Sequence, residues 1–187
     1  MTASRPEELG ALVRTAGQME QAWLNRVPHA GDARYTPWMP FSIPAYIAMV
    51  TEALPEIRGD RFLEIGSGIG TKLLLAREFC GFSVLGIERT AEYAAVAGSM
   101  GLETKTADAL DWAGYDEADL TWFNRVFRDL SAETALEAKV WAETAPGAVI
   151  MCANLESRPP MTWYPVLDSW DSERRGIWQK PFAPAGS

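Results

Sequence analysis

From Arg61 onward the sequence alternates short apolar runs with helix-length amphipathic stretches, and this alternation constrains the fold more than any other feature. Arg61–Ile65, Ser83–Ile87, Leu102–Thr106, Ala118–Phe123 and Ala148–Ala153 read as strands. Thr71–Phe79, Ala91–Met100 and Ser131–Ala145 read as helices, the last with Ser131 as its N-cap. Strands joined by helices of this length predict a mostly parallel, doubly wound sheet with helices on both faces, an α/β fold of three layers. The stretch from Asp108 to Glu117 is short for a crossover helix and predicts a loop or a single turn.

Residues 1–60 have a different texture. Apolar residues from Glu7 to Val27 recur at three- and four-residue steps, which predicts one amphipathic helix. An aromatic and proline-rich stretch from Tyr35 to Pro44 follows. A second helix then runs to Leu54, with Ser42 as N-cap and Pro44 in its first turn. We divide the chain into an N-terminal helical extension, 1–60, packed on a core, 61–187. Beyond Ala153, Met161–Trp170 reads as a helix and Gly176–Phe182 as one last strand, so the C-terminal end of the sheet reads as abbreviated. An open edge there predicts cover by the local tryptophans, self-association, or a partner subunit.

Composition narrows the classes. With 17 Lys plus Arg against 25 Asp plus Glu the net charge is −8, which argues against a broad face for nucleic acid. No apolar run approaches the ~20 residues that cross a bilayer, and no secretory leader is recognisable at the N-terminus. Cys80 and Cys152 read as free thiols of a reducing cytoplasm, and with one histidine they supply no metal-ligand cluster.

The chemistry-bearing segment is Phe62-Leu-Glu-Ile-Gly-Ser-Gly-Ile-Gly70, where a strand enters three alternate glycines and a helix begins. Glycines serve where the backbone turns sharply and where a ligand packs against the main chain. The dinucleotide fingerprint G-x-G-x-x-G fails because Thr71 stands at its third glycine. The phosphate-cradling G-x-x-x-x-G-K-[ST] fails because Lys72 follows Thr71. What remains is an acid, one residue, then G-x-G-x-G.

This pattern resembles the class I S-adenosylmethionine-dependent methyltransferases. Glu64 with Gly66, Gly68 and Gly70 matches the first family motif. Glu88 ends the second strand and Asp108 follows the third, where the family places polar or acidic groups; Pro146-Gly147 also precedes the fifth strand as is common there. The resemblance spans roughly residues 61–153 and implies a Rossmann-like methyltransferase fold with S-adenosyl-L-methionine as cofactor. It assigns cofactor binding to Glu64, Gly66, Ser67, Gly68, Gly70, Glu88, Arg89, Asp108 and Ala109. Glu88 would accept the ribose hydroxyls, Asp108 and the Ala109 N–H would meet the adenine edge, and Glu64 would hold the ammonium of the methionine end. Each acid has a structural alternative: Glu88 capping the next helix, Asp108 in an Asx turn, Glu64 closing the glycine loop.

The residues after the fourth strand face the transferred methyl in this family, and here they read Asn124-Arg-Val-Phe-Arg-Asp129. The prolines that accompany amino-group methylation of DNA bases are missing. Asn124 is the candidate polar group at the reaction centre, or simply bonds a cofactor or loop amide. Arg125 and Arg128 are read as acceptor contacts or solvated arginines, and the single histidine, His29, as a surface residue or a base. The Tyr35–Phe41 stretch, with Tyr35 and Trp38, is read as a lid or acceptor wall or a hydrophobic strap closing the sheet edge. The expected activity is methyl transfer to a small-molecule or protein acceptor; the alternative is a catalytically silent cofactor-binding subunit that regulates or scaffolds a partner. Of the eight tryptophans, Trp112 and Trp122 are expected to line the cleft.

Overall fold

Strand Val149–Ala153 is a run of five wholly buried residues, which only a strand covered on both faces produces. The computed structural model describes residues 6–24, 41–169 and 174–183, and this strand lies deep in its sheet. In chain order the elements are α1 (Pro6–Leu24), α2 (Ile43–Ala53), β1 (Arg61–Ile65), α3 (Thr71–Leu75, continued by a widened turn over Ala76–Cys80) and β2 (Ser83–Glu88). Then come α4 (Ala91–Ser99), β3 (Glu103–Thr106), β4 (Leu120–Asn124), α5 (Leu130–Glu143), β5 (Val149–Ala153), β6 (Tyr164–Ser169) and β7 (Arg175–Gln179).

The seven strands run in the order β3-β2-β1-β4-β5-β7-β6, with β7 antiparallel to both its neighbours and every other pairing parallel. Strand order reverses between β1 and β4, so the loops leaving these strands open a crevice at the carboxyl edge. Ala16 of α1, five residues of α2 and the buried part of α3 share one hydrophobic cluster with Phe62, Leu120, Trp122 and Met151. On the opposite face α5 and the 109–118 crossover pack on Leu63, Ile65, Phe123 and Ile150. The result is the expected three-layer, doubly wound α/β fold.

Local predictions hold in most of the core. Ser42 caps α2 by accepting from the Ala45 N–H, with proline in the first turn. The 108–117 crossover holds no α-helix, only a hydrogen-bonded turn at 109–111 and a 3-10 turn, Tyr115–Glu117. The α5 cap is Asp129 rather than Ser131: its carboxylate accepts from the Ala132 N–H at 2.9 Å, and the Ser131 hydroxyl merely donates to the same oxygen.

The C-terminal reading needs correction. Met161–Trp170 is not a helix; Tyr164–Ser169 forms β6, and the sheet ends in an antiparallel hairpin rather than one strand. Tyr164, Val166 and Leu167 satisfy helical and strand periods alike over so few residues, and pairing with β7 decides between them. What is short is the connection from β5 to β6, which runs through 154–163 with turns alone. Beyond the one strand that was expected after β5, here β7, the sheet gains β6 as its outer strand. The outer edge, β6, carries Pro165, which removes one N–H from the ladder. Trp141, Trp163 and Trp178 meet edge to face at 5.3 and 6.2 Å behind this hairpin. Trp122 does not line the cleft: it is buried against Phe41 and Tyr46 beneath α2. No helix among the described residues is long and apolar enough to cross a membrane, and Cys80 and Cys152 are free thiols.

Candidate functional site at the sheet switch point

β1 brings Glu64 to the crevice and the chain then turns through Gly66, Ser67, Gly68 and Gly70. All three glycines have positive φ, at 71°, 53° and 82°. At Gly70 the requirement is double, since a Cβ would also lie 2.9 Å from Ala97 Cβ and Leu102 Cδ1. The Gly66 and Ser67 N–H groups both donate to the Ile87 carbonyl, at 2.8 and 3.1 Å, so the loop folds back over the end of β2. Gly86 in β2 makes the space: a Cβ there would sit 2.5 Å from Ser67 Oγ.

Glu88 ends β2 and reaches across to the loop. One carboxylate oxygen accepts from the Gly68 N–H at 2.8 Å and the other from the Thr90 N–H at 2.7 Å. Glu88 therefore fixes the glycine loop and the turn into α4, without capping the helix itself, whose N-cap residue is Thr90. A carboxylate has about four lone-pair sites, so two backbone donors leave acceptor capacity on both oxygens. Arg89 beside it is exposed. Asp108 forms the Asx turn, accepting from the Leu110 N–H at 3.0 Å, and the buried Ala109 has its carbonyl held by the Tyr115 hydroxyl at 2.7 Å. The Ala107 N–H donates to the Glu88 carbonyl, which sets this turn beside the end of β2.

Glu64 is 5% exposed, and its Oε2 is buried without a hydrogen-bond partner, as is Ser67 Oγ. Burial pushes the Glu64 carboxyl well above its ordinary range; Lys72 and the Leu73 N–H oppose the shift, while Glu20 and Glu88 add to it. In the sheet Glu64 stands level with Gly86 on β2 and Trp122 on β4. The Tyr46 hydroxyl, itself raised by burial, donates to the Lys72 carbonyl at 3.3 Å nearby.

On the β4 side, the Asn124 carbonyl oxygen accepts from the Asn154 amide at 2.7 Å, which joins the carboxyl ends of β4 and β5. The partly exposed Arg125 pairs with Glu156 at 2.6 Å, and Arg174 reaches the other Glu156 oxygen at 3.4 Å. Arg125, Asn154 and Arg174 are the described non-glycine residues with positive φ, and all three sit at this edge. Val126 packs on the glycine loop, 3.4 Å from where a Gly66 Cβ would stand. Beneath, the fully buried Glu133 and Glu137 of α5 tie down both loops. Glu133 accepts from the Val126 and Phe127 N–H groups at 3.3 and 2.7 Å, and Glu137 from the Glu156 and Ser157 N–H groups at 2.6 and 2.8 Å.

The fold thus gathers Glu64, Gly66, Ser67, Gly68, Gly70, Glu88, Asp108 and Ala109 at one edge, with Asn124 across the switch point. Tyr35, Trp38 and His29 lie outside the described residues. Sequence reasoning missed Glu20, Glu133, Glu137 and Glu156. The available signal was an acid inside an apolar helical stripe, as Glu20 is four residues after the buried Ala16.

Neither a family model nor a curated protein matches the sequence. Solved structures do. An RNA methyltransferase from Salinibacter ruber in complex with S-adenosyl-L-homocysteine superposes with a TM-score of 0.61 at 18% identity, over 80% of this chain and 98% of that one. Haemonchus contortus phosphoethanolamine N-methyltransferase 2, with phosphomonomethylethanolamine and S-adenosylhomocysteine, gives 0.52 at 19% identity over 61% of this chain and 28% of its own. Geranyl diphosphate C-methyltransferase from Streptomyces coelicolor gives 0.51 at 15% identity over 59% and 42%. This chain therefore spans less than half of the latter two. It has the Rossmann-like fold shared by the class I S-adenosylmethionine-dependent methyltransferases.

Proposed function

We propose that this chain transfers a methyl group from S-adenosyl-L-methionine to a small-molecule or protein acceptor. The observation that carries the reading is the orphaned Glu64 Oε2 beside the glycine loop. A buried carboxylate oxygen without a donor costs free energy, and a ligand that brings donors recovers it. The described groups fit the cofactor in kind: it presents an ammonium, a ribose diol and an adenine edge, and the site presents Glu64, Glu88 and the Asp108–Ala109 turn.

In this reading Glu64 holds the ammonium, the spare lone pairs of Glu88 accept the ribose hydroxyls, and Asp108 with the Ala109 N–H orients the base. Ser67 and the glycines let the main chain pack closely. When bound, the cofactor supplies an electrophilic methyl on a sulfonium. The chain's own part is to hold an acceptor lone pair in line with that methyl and to exclude water. Asn124, fixed by Asn154, stands at the acceptor end, and Tyr35 and Trp38 from the 1–60 extension are proposed to wall it. No general base is required where the acceptor arrives deprotonated. The structural neighbours named above carry three different acceptors in their names, so the fold leaves the acceptor open. A cytoplasmic location belongs to the same reading.

Calorimetric titration tests it. S-adenosylhomocysteine should bind, and Glu88→Ala should weaken that binding by about 1–3 kcal/mol, as for a hydrogen bond to a charged group. Binding of NAD with none of the homocysteine compound overturns the assignment. A labelled-methyl screen over fractionated extract then identifies the acceptor.

A further inference from the structure

We propose that Glu20, on the N-terminal helix, is a positioning residue for the methionine end of the cofactor: it holds the Lys72 ammonium off Glu64, and so keeps the Glu64 seat open. This rests on the cofactor reading above and adds a residue from outside the glycine-loop core.

Three charged side chains that the sequence scatters meet behind the glycine loop. Glu20 Oε1 accepts from the Thr71 hydroxyl at 2.7 Å and from Lys72 Nζ, and both members of the ion pair are nearly wholly buried. Thr71 and Lys72 are the first two residues of α3, directly after Gly70, and α1 packs against that helix. Lys72 forms its ion pair with Glu20, and no ion pair joins it to Glu64. Glu64 Oε2 remains without a donor. Yet α3, which carries Lys72, packs on β1, the Leu73 N–H beside Lys72 bonds Glu64, and the Lys72 charge opposes the rise that burial imposes on the Glu64 carboxyl.

With Glu64 ionised the group would hold two carboxylates to one ammonium, and burial accordingly pushes the Glu64 carboxyl up, with Glu20 adding to the rise. A second ammonium, brought by the ligand, balances the two carboxylates. The competitor for that place is already in the protein, because Lys72 carries the same chemical group. A buried ammonium deprived of its partner is strongly destabilised and takes whatever carboxylate is in reach. Without Glu20 that carboxylate is Glu64, and Lys72 then occupies the seat that the cofactor needs. Glu20 prevents this by offering Lys72 a better-equipped partner, one whose oxygen is already oriented by the Thr71 hydroxyl.

A purely structural tie between α1 and α3 makes a different prediction: its loss would weaken every ligand of the site alike. Calorimetry with two ligands separates the two. S-adenosylhomocysteine carries the amino-acid end; 5′-methylthioadenosine keeps the ribose and adenine and lacks that end. Glu20→Gln should weaken the first by about tenfold or more and leave the second within about twofold, the scale set by one charged hydrogen bond. Lys72→Met should bind both ligands about as the wild type does. The double variant Glu20→Gln with Lys72→Met should recover the homocysteine ligand to within about threefold of wild type, because no internal ammonium is left to compete.

Equal weakening of both ligands by Glu20→Gln, or no recovery in the double variant, overturns the proposal. So does a Lys72→Met variant that loses only the homocysteine ligand, since Lys72 would then be a direct contact. Should Glu20→Gln fail to fold, the Lys72→Met and double variants still decide. Failure of the wild type to bind either ligand is a separate outcome, and it removes the cofactor reading itself together with this assignment.

Discussion

Replacing Glu133 by glutamine isolates one buried carboxyl whose ionisation opposes the fold. Glu133 is fully buried on α5. Burial raises its carboxyl from the usual 4.5 to about 7; Glu137 adds to the rise, while the Phe127 and Val126 N–H groups and Arg125 oppose it. Cys152, itself raised by burial, faces the same two carboxylates. The folded state therefore binds a proton more tightly than the unfolded chain, so the stability linked to Glu133 is full below about 4.5 and is lost as pH rises through about 7. The difference of about 2.5 units corresponds to roughly 3 kcal/mol. Other carboxylates titrate over the same range, so the quantity to measure is the difference between wild type and Glu133→Gln, by urea unfolding at pH 5 and at pH 8. The variant should gain about 2–3 kcal/mol relative to wild type between the two conditions, because glutamine carries no charge at either and pH 5 already lies above the unfolded value. A change below about 1 kcal/mol, or one of opposite sign, would falsify the claim that burial outweighs the two backbone donors at Glu133.

Three further outcomes follow from contacts described above. Gly70→Ala should destabilise by about 2–4 kcal/mol, from a left-handed backbone and contacts that force Ala97 and Leu102 apart, and should lower S-adenosylhomocysteine affinity in the same preparation. Lys180 donates to the Trp141, Ala142 and Thr144 carbonyls at 3.2, 2.8 and 2.6 Å, so Lys180→Met should uncap α5 and cost about 1–3 kcal/mol in thermal unfolding. Trp122→Ala should cost about 3–5 kcal/mol by denaturant titration, the loss of a large core side chain; a cleft-lining tryptophan would show a far smaller effect.

The parts of the fold that were legible in the sequence are those specified locally. The runs that became β1, β4 and β5 are apolar enough to be buried on both faces, and Ser42 with Pro44 marks the start of α2 from chemistry within one turn. Gly66, Gly68 and Gly70 take left-handed conformations, which is what their spacing after a strand implied. Strand β6 was not legible because half its side chains stay exposed on an edge, so its own periodicity is weak and β7 supplies the decision. The buried acids were illegible for a related reason. Glu20, Glu133 and Glu137 sit on buried faces of their helices, but a glutamate in an amphipathic helix is read as solvated unless one knows which donors arrive from elsewhere. Those donors are Lys72 for Glu20, and the N–H groups of loops 126–127 and 156–157 for the pair on α5. Trp122 misled because its place near the end of β4 suggested the cleft, whereas α2 arrives from 70 residues earlier to cover it.

The position of β7 has a bearing on how the molecule is made. It is seventh of the seven strands in chain order, yet it lies inside the sheet, hydrogen-bonded to β5 on one side and β6 on the other. During synthesis from the N-terminus the first five strands can assemble as they emerge, whereas β6 has no neighbour in the sheet until Arg175–Gln179 arrives to bridge the gap. Until then the apolar edge of β5 is unpaired, and Trp141 lacks its contact with Trp178. A chain cut before residue 175 would therefore be left with a hydrophobic seam rather than trimmed of a fringe, and the nascent protein passes through that same vulnerable state each time it is translated.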